Sequence, residues 1–267
     1  MQKSTPDRPV FRGLRLRRAA SLAIVKFARG EAGMLTPSAM IVTLMGQKGG
    51  VGKSTTAICL AMAAFERGQS TLLVDADPQG TVQTWSEVAA EHQRRAPTVV
   101  SMGAAMHRPG QLESVARNYD WTFVDCPPRH GEVQRSALMI SDLAILPCGP
   151  SASDVWALSS SLELIASARG LRESLTACIV INRKQPRTAL GRDVRAVLEK
   201  SGLQVLESEL FYRVAYQEAI AAGLGVTSRG RRDPAACEMR ALFEEVEKLV
   251  YAEKKSGCFP AQAVASA

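Results

Sequence analysis

A glycine-rich run, placed between an apolar segment and a segment of helical periodicity, carries the strongest chemical signal in this sequence. Glycines let backbone N–H groups curl around phosphate oxygens, and the N-terminus of a following helix adds partial positive charge at the same point. The pattern therefore predicts a phosphate loop, in which Lys53 neutralises the outer phosphates of a nucleotide and Ser54 is a ligand of Mg²⁺. The residues expected to contact the nucleotide here are Gln47, Lys48, Gly49, Gly50, Val51, Gly52, Lys53, Ser54 and Thr55.

Carboxylates end two further apolar segments downstream. Asp75 and Asp77 follow the apolar run Leu72–Val74. Asp125 follows the apolar run Trp121–Val124. Carboxylates at strand ends that face a Mg-nucleotide can hold the metal through water and order the attacking water. Each segment alone is an ordinary strand ending, but the order of the three motifs predicts that Asp125 holds Mg²⁺ and that the two earlier acids order the attacking water and the metal's water shell.

Short apolar runs alternate with helical-period segments from Met40 onward. This pattern indicates βαβ units and a mainly parallel twisted sheet flanked by helices. Together with the phosphate loop after the first strand, it resembles the P-loop NTPase architecture. The predicted strands are Met40–Met45, Thr71–Asp75, Thr98–Ser101, Trp121–Asp125, Leu143–Pro147, Thr176–Asn182 and Gln204–Leu206. The predicted helices are Lys53–Arg67, Val82–His92, Glu132–Ser141, Ala152–Arg169, Leu190–Lys200 and Pro234–Tyr251.

The net charge of +7 is distributed unevenly along the 267 residues. Residues 1–39 carry eight basic and two acidic side chains, so the other 228 residues have a net charge of only +1. Within that near-neutral body, residues 182–232 hold ten basic and five acidic side chains. This local excess favours contact with nucleic-acid phosphates over an ordinary solvated helix face. The predicted DNA-binding residues are Arg183, Lys184, Arg187, Arg192, Arg195, Arg229, Arg231 and Arg232.

The form K-G-G-x-G-K-[ST] departs from the plain phosphate-loop pattern, because Lys48 is added and Gln47 stands at the first glycine position. It resembles the deviant Walker A ATPases of the ParA/MinD family, and the resemblance covers roughly residues 40–250. It implies that Lys48 reaches across a nucleotide-sandwich dimer to the phosphates of the partner subunit. It also implies that Asp77 is the hydrolysis residue, supported by Asp75. The implied catalytic residues are Lys48, Lys53, Asp77 and Asp125.

Asn182, at the end of a late apolar strand, is a weaker candidate. The family uses an asparagine at this point against adenine, so the resemblance implies an adenine contact. Asparagine is also a frequent strand-ending turn residue, and both interpretations stay open. The segment Tyr212–Ala219 resembles the part of the family that lies beside the base.

The resemblance favours a ParA-type partition ATPase. It implies that ATP and Mg²⁺ are the cofactors, that ATP drives homodimerisation, and that the dimer binds DNA without sequence preference. It further implies a ParB-like or other small activating partner and a cytoplasmic, nucleoid-associated location. The cargo stays open between a plasmid, a chromosome, an integrative element and a protein assembly.

The alternative is a MinD-like membrane-associated positioning ATPase. That class needs a basic amphipathic helix at the C-terminus, whereas residues 253–267 contain Pro260 and few large apolar groups. A membrane partner is therefore not expected, although the basic residues near the N-terminus leave this alternative open. An iron–sulfur ATPase is not expected either, because the six cysteines lack suitable spacing.

Three segments are predicted along the chain. Residues 1–39 are interpreted as a basic, disordered N-terminal extension, or as a result of a start codon assigned too far upstream. Residues 40–252 are the predicted ParA-like ATPase domain, and residues 253–267 are a predicted flexible tail.

Overall fold

The computed structural model describes residues 39–255. The predicted N-terminal extension, apart from Ala39, lies outside the described residues, and so does residue range 256–267. The domain limits at residues 40 and 252 therefore stay predictions. The final helix continues to Lys255, three residues into the segment assigned to the tail.

Seven strands form a single sheet in the described part of the chain, and every pair of neighbours is parallel. The spatial order is β3-β2-β4-β1-β5-β6-β7. This arrangement confirms the predicted fold class. The strands are β1 (Met40–Leu44), β2 (Thr71–Asp75), β3 (Thr98–Ser101), β4 (Trp121–Asp125), β5 (Leu143–Cys148), β6 (Thr176–Lys184) and β7 (Gln204–Phe211).

The helices of the described residues lie on both faces of the sheet. They are α1 (Lys53–Glu66), α2 (Thr81–Glu91), α3 (Leu112–Ala116), α4 (Gly131–Leu138), α5 (Ala152–Trp156), α6 (Leu158–Arg169), α7 (Ala189–Leu198), α8 (Val214–Ala221) and α9 (Pro234–Lys255). Short 3₁₀ helices lie at Glu199–Ser201, directly after α7, and at Val226–Arg229, between α8 and α9.

Two of these elements differ clearly from the sequence prediction. The single helix predicted over residues 152–169 is divided at Ala157 into α5 and α6, although Ala157 itself keeps right-handed helical dihedral angles, with φ at −69° and ψ at −11°. Strand β7 runs five residues beyond the predicted Leu206. Its polar second half is held by α9, because the Glu245 carboxylate accepts hydrogen bonds from the backbone N–H groups of Glu207 and Ser208.

A separate apolar core covers each face of the sheet. Alternate residues of β1 point to opposite faces, as strand geometry requires, so that Val42 and Leu44 join one core while Ile41 and Met45 join the other. The first core packs against α1, α2, α8 and α9, and the second packs against α3, α4, α6 and α7. Because helices cover both faces, strands β1, β2, β4 and β5 are buried at every position rather than at alternate residues.

The three central strands bring the sequence motifs together. Strand β4 lies between β1 and β2, and Asp125 is in register with both Asp75 of β2 and Leu44 of β1. The phosphate loop leaves β1 and the two carboxylate motifs leave β2 and β4 at the same edge of the sheet. Ligands of open α/β sheets bind outside this carboxyl edge. Among the described helices, none is long and apolar enough to cross a membrane.

Candidate nucleotide-binding site

The phosphate loop ends in a helix whose first turn lacks a side-chain cap. Gly52 is the N-cap of α1, with φ at 91°, and the first turn contains no acidic residue. The free N–H groups and the helix dipole are therefore directed at an anion rather than at a protein acceptor. Glycine is required at this position, because a Cβ on Gly52 would overlap the side-chain amide of Asn182 and the left-handed φ would be strained.

Lys53 is a buried cation beneath this loop. Its side chain is almost fully buried, and its Nζ donates a hydrogen bond to the carbonyl oxygen of Lys48 at 3.0 Å. Burial lowers the pKa of Lys53, whereas the nearby carboxylates of Asp125 and Asp77 act in the opposite direction. A buried ammonium with one backbone acceptor keeps donors available for phosphate oxygens, and the contact of Lys53 with phosphates stays a prediction.

Asp125 is a buried carboxylate whose two oxygens lack a hydrogen-bond partner of ordinary geometry within residues 39–255. Burial raises its pKa to about 7, and although the adjacent Ser54 hydroxyl and Lys53 ammonium favour the charged form, burial outweighs them. Buried polar atoms in proteins are almost always satisfied, so these carboxylate oxygens are suited to bind a ligand. An oxygen donor set of a carboxylate and the Ser54 hydroxyl fits Mg²⁺.

Asp75 and Asp77 occupy different positions at the end of β2. Both carboxylate oxygens of Asp75 accept backbone N–H groups, from Asp77 at 3.1 Å and from Gln83 in the first turn of α2 at 2.8 Å. Asp75 thus caps α2 and shapes the turn, a role that the sequence prediction did not include. The half-buried Asp77 accepts the Gln79 N–H at 3.0 Å and lies close enough to Lys53 and Asp125 to affect their pKa values. The metal role of Asp75 and the hydrolytic role of Asp77 stay predictions.

Lys48 is held within its own chain. Its Nζ donates to Asp154 Oδ1 at 2.5 Å and to Ser153 Oγ at 2.9 Å. Ser151 and Asp154 also form a capping box at the start of α5. Burial alone would raise the pKa of Asp154, but the hydrogen bonds from Lys48 and Ser151 outweigh it and keep the pKa below its usual value. The S-x-x-D spacing could have revealed the cap, but nothing in the sequence pointed to Lys48 as its partner.

The end of β6 contacts the phosphate loop from the side. Asn182 is buried, its Nδ2 donates to Val51 O at 2.7 Å, and its Oδ1 accepts the backbone N–H of Arg183 at 2.8 Å. Arg183 adds a second hydrogen bond to the loop, from its guanidinium to Gly50 O at 2.6 Å, and stacks 5.4 Å above the Tyr212 ring. The structure therefore places Asn182 as a support of the loop. Its contact with adenine stays a prediction.

The eight predicted DNA-binding residues fall into two groups. Four are engaged inside the chain: Arg183 on the phosphate loop, Lys184 and Arg195 with Glu209, and Arg229 with Glu218 and Asp233. The other four are exposed and, within the described part of the chain, make no side-chain hydrogen bond or ion pair to a protein acceptor. These four residues are Arg187, Arg192, Arg231 and Arg232.

Comparison with known proteins agrees with this geometry. The model of the CobQ/CobB/MinD/ParA nucleotide binding domain matches residues 42–226. The chain is 33% identical to the maintenance of carboxysome distribution protein A of Halothiobacillus neapolitanus, over 80% of this chain and 99% of that protein. It is 28% identical to the chromosome-partitioning ATPase Soj of Thermus thermophilus, over 80% of this chain and 97% of Soj.

A solved structure shares the fold. A complex of ATP with an aspartate-to-alanine variant of Cyanothece McdA aligns with a TM-score of 0.64 and 16% identity, covering 80% of this chain and 97% of that one. The family match spans β1 through α8 and includes the loop, both carboxylate motifs and Asn182. This chain therefore belongs to the CobQ/CobB/MinD/ParA family of nucleotide-binding proteins, as the resemblance of its phosphate loop indicates.

Proposed function

We propose that this protein is a Mg-ATP-dependent switch that dimerises with ATP, binds DNA without sequence preference, and hydrolyses ATP when a partner protein stimulates it. The proposed role is to segregate or position DNA or another cargo in the cytoplasm, in association with the nucleoid. The names of the two relatives, one for carboxysome distribution and one for chromosome partitioning, support a positioning role and leave the cargo open.

The proposal that the protein binds a Mg-nucleotide rests on one observation. The buried ammonium of Lys53 and the buried carboxylate of Asp125, with the Ser54 hydroxyl beside it, lie together beneath a helix N-terminus without a side-chain cap. A cation, a helix terminus and a buried carboxylate form a combination suited to a Mg-triphosphate, which would bring about four negative charges and one divalent cation to this site. The bound metal would neutralise charge that develops on the phosphates.

Each residue of the candidate site then has a defined role. Lys53 and the N–H groups of the loop bind the phosphates, while Asp125 and Ser54 hold the metal. Asp77 orients the attacking water from the turn that follows β2. Asp75 fixes the turn that carries Asp77, through its hydrogen bond to the Asp77 backbone N–H.

The Lys48 contact supports the dimerisation step. In the isolated chain Lys48 is paired with Asp154, so its charge is already neutralised. If Lys48 serves the phosphates of a second subunit, it must leave Asp154 when two chains meet. The exchange of one anionic partner for another would offset part of the cost of breaking the pair with Asp154, which suits a reversible switch.

The experiment compares the wild type with Lys53→Ala and with Lys200→Ala, which removes an exposed lysine elsewhere. The affinity for a fluorescent ATP analogue is measured in the presence of Mg²⁺. The molecular mass of the protein is measured by light scattering on the same samples. We expect the wild type and Lys200→Ala to bind and dimerise. Lys53→Ala should bind at least about 100-fold more weakly, because its phosphates lose a buried cation. Equal binding by all three proteins would refute the phosphate-loop assignment.

A further inference from the structure

Gln134 is a fully buried polar side chain on α4 that joins two separate segments. Its Nε2 donates to Pro127 O at 2.6 Å and approaches Gly46 O at 3.5 Å. Its Oε1 accepts a hydrogen bond from Gln47 Nε2 at 2.9 Å. The amide thus bridges the start of the phosphate loop and residues 126–130, which connect β4 to α4 and are named here the β4–α4 loop.

The partners of this amide lie next to the residues that carry the chemistry. Gln47 precedes Lys48, and Pro127 follows two residues after Asp125. Gln47 stands where the plain phosphate-loop pattern has a glycine, and a glycine there could not reach Gln134. Gln47, the residue that departs from the plain pattern, therefore provides the contact between the phosphate loop and Gln134.

Because α4 is held firmly in the core, a shift of Gln47 would move the side chain of Gln134 rather than the whole helix. Ala137 and Leu138, three and four residues after Gln134, are fully buried in the core beneath the sheet. Helix α4 is held by that packing, since close-packed cores resist displacement. When Gln47 shifts, the hydrogen-bonded amide of Gln134 can turn about its side-chain torsions while the helix stays in place. The Pro127 carbonyl, held by the same amide, must then follow or lose its hydrogen bond.

We propose that Gln134 is a positioning residue that couples occupancy of the phosphate loop to the conformation of the β4–α4 loop. The ligand to which it responds is a nucleoside triphosphate rather than a diphosphate, so this inference rests on the proposed function. Gln134 does not contact the nucleotide. It acts through Gln47 on one side and through Pro127 on the other, and the loop that it controls begins directly after Asp125.

The test uses the full-length protein with Mg²⁺ and either ADP or a non-hydrolysable ATP analogue. Hydrogen exchange of peptides from the β4–α4 loop is measured for the wild type, Gln134→Met and Gln47→Met. Methionine keeps the length of the side chain but removes the amide. Leu138→Met is the matched control, since it changes a buried residue of the same helix that makes no side-chain hydrogen bond.

We expect the ATP analogue to slow exchange in the β4–α4 loop of the wild type and of Leu138→Met by about tenfold relative to ADP, the effect of one retained hydrogen bond. Gln134→Met and Gln47→Met should both lose this difference, and Gln134→Met should keep its affinity for ADP within about threefold of the wild type. The double variant should be no worse than either single variant, because both remove the same bridge. Steady-state hydrolysis should show a lower kcat with little change in KM.

The outcomes separate this inference from the proposed function. A wild type that binds neither nucleotide would overturn both. A wild type that binds both nucleotides without differential exchange, or a Gln134→Met variant that keeps the difference, would overturn the coupling alone. If Gln134→Met does not fold, the half-buried Gln47→Met decides the question, because the same bridge is removed from its more exposed end.

Discussion

The ammonium of Lys48 lies 2.5 Å from the carboxylate of Asp154, so the second lysine of the phosphate loop is bound within its own chain. The Asp154 side chain is 14% exposed and that of Lys48 is 36% exposed. This pair must separate before Lys48 can serve a second subunit. If the protein dimerises as proposed, the strength of the pair sets part of the energy needed for dimerisation.

Replacing Asp154 by asparagine should favour the ATP-bound dimer. The variant lacks the charge that holds Lys48, and loss of a partly exposed ion pair is worth ~1 kcal/mol, which is about fivefold in the dimer dissociation constant. Analytical ultracentrifugation with a non-hydrolysable ATP analogue measures this constant. Ser151→Ala is the control, because it weakens the cap of α5 without touching Lys48. A weaker dimer in Asp154→Asn than in Ser151→Ala would contradict the prediction.

The raised pKa of Asp125 predicts how stability depends on pH in the absence of metal and nucleotide. The folded protein keeps the Asp125 proton up to about pH 7, whereas the unfolded chain releases it near pH 4. The folded state therefore binds more protons in this window, and the free energy of unfolding should fall as the pH rises from about 4 to about 7. No further loss from this group is expected above that range.

Asp125→Asn should remove this dependence. Relative to the wild type, the variant should gain roughly 2–3 kcal/mol of stability between pH 5 and pH 8. Urea unfolding in EDTA at the two pH values measures the difference. Asp193→Asn, at an exposed position on α7, is the control and should follow the wild type. If the free energies of unfolding of Asp125→Asn and of the wild type change with pH by the same amount, the Asp125 carboxylate is charged in the folded protein and the prediction is wrong.

Asp77→Ala should separate binding from hydrolysis. Asp77 lies near Lys53 and Asp125 without a direct hydrogen bond to either, so its removal leaves the phosphate contacts in place. We expect ATP affinity to change by less than about threefold, and hydrolysis to fall by about 100-fold or more, the usual contribution of a residue that takes a proton from the attacking water. The dimer should then persist on DNA. A variant that stays monomeric with ATP would refute this role.

The exposed arginines predict a DNA-binding surface that depends on charge alone. Arg187→Glu combined with Arg231→Glu should weaken ATP-dependent DNA binding by about tenfold or more and reduce its dependence on salt, while dimerisation is retained. Arg94→Glu with Arg117→Glu gives the same charge change at exposed positions outside residues 182–232 and should have a smaller effect. Gel shifts at several salt concentrations, with light scattering on the same preparations, measure both properties. Equal losses in the two double variants would point to net charge rather than to this surface.

The sequence by itself determined the fold class and the position of the phosphate loop. Five of the seven strands have the predicted first residue and end within one residue of the prediction, because a parallel sheet covered on both faces requires continuous apolar runs. The order of the loop and the two carboxylate motifs also determined that they meet at one edge of the sheet, since parallel strands place their carboxyl ends together.

Only the tertiary structure decided what the individual side chains contact. Asp75 caps α2, Asn182 supports the loop, and Lys48 binds Asp154, which lies 106 residues away in the sequence. The sequence did not predict the contacts of Gln134, because a glutamine in a helical pattern is usually solvated. Its burial follows from how α4 packs on the sheet. Apolar periodicity reports which face of an element is buried, whereas the partner of a polar group depends on which distant segments the packing brings within hydrogen-bond distance.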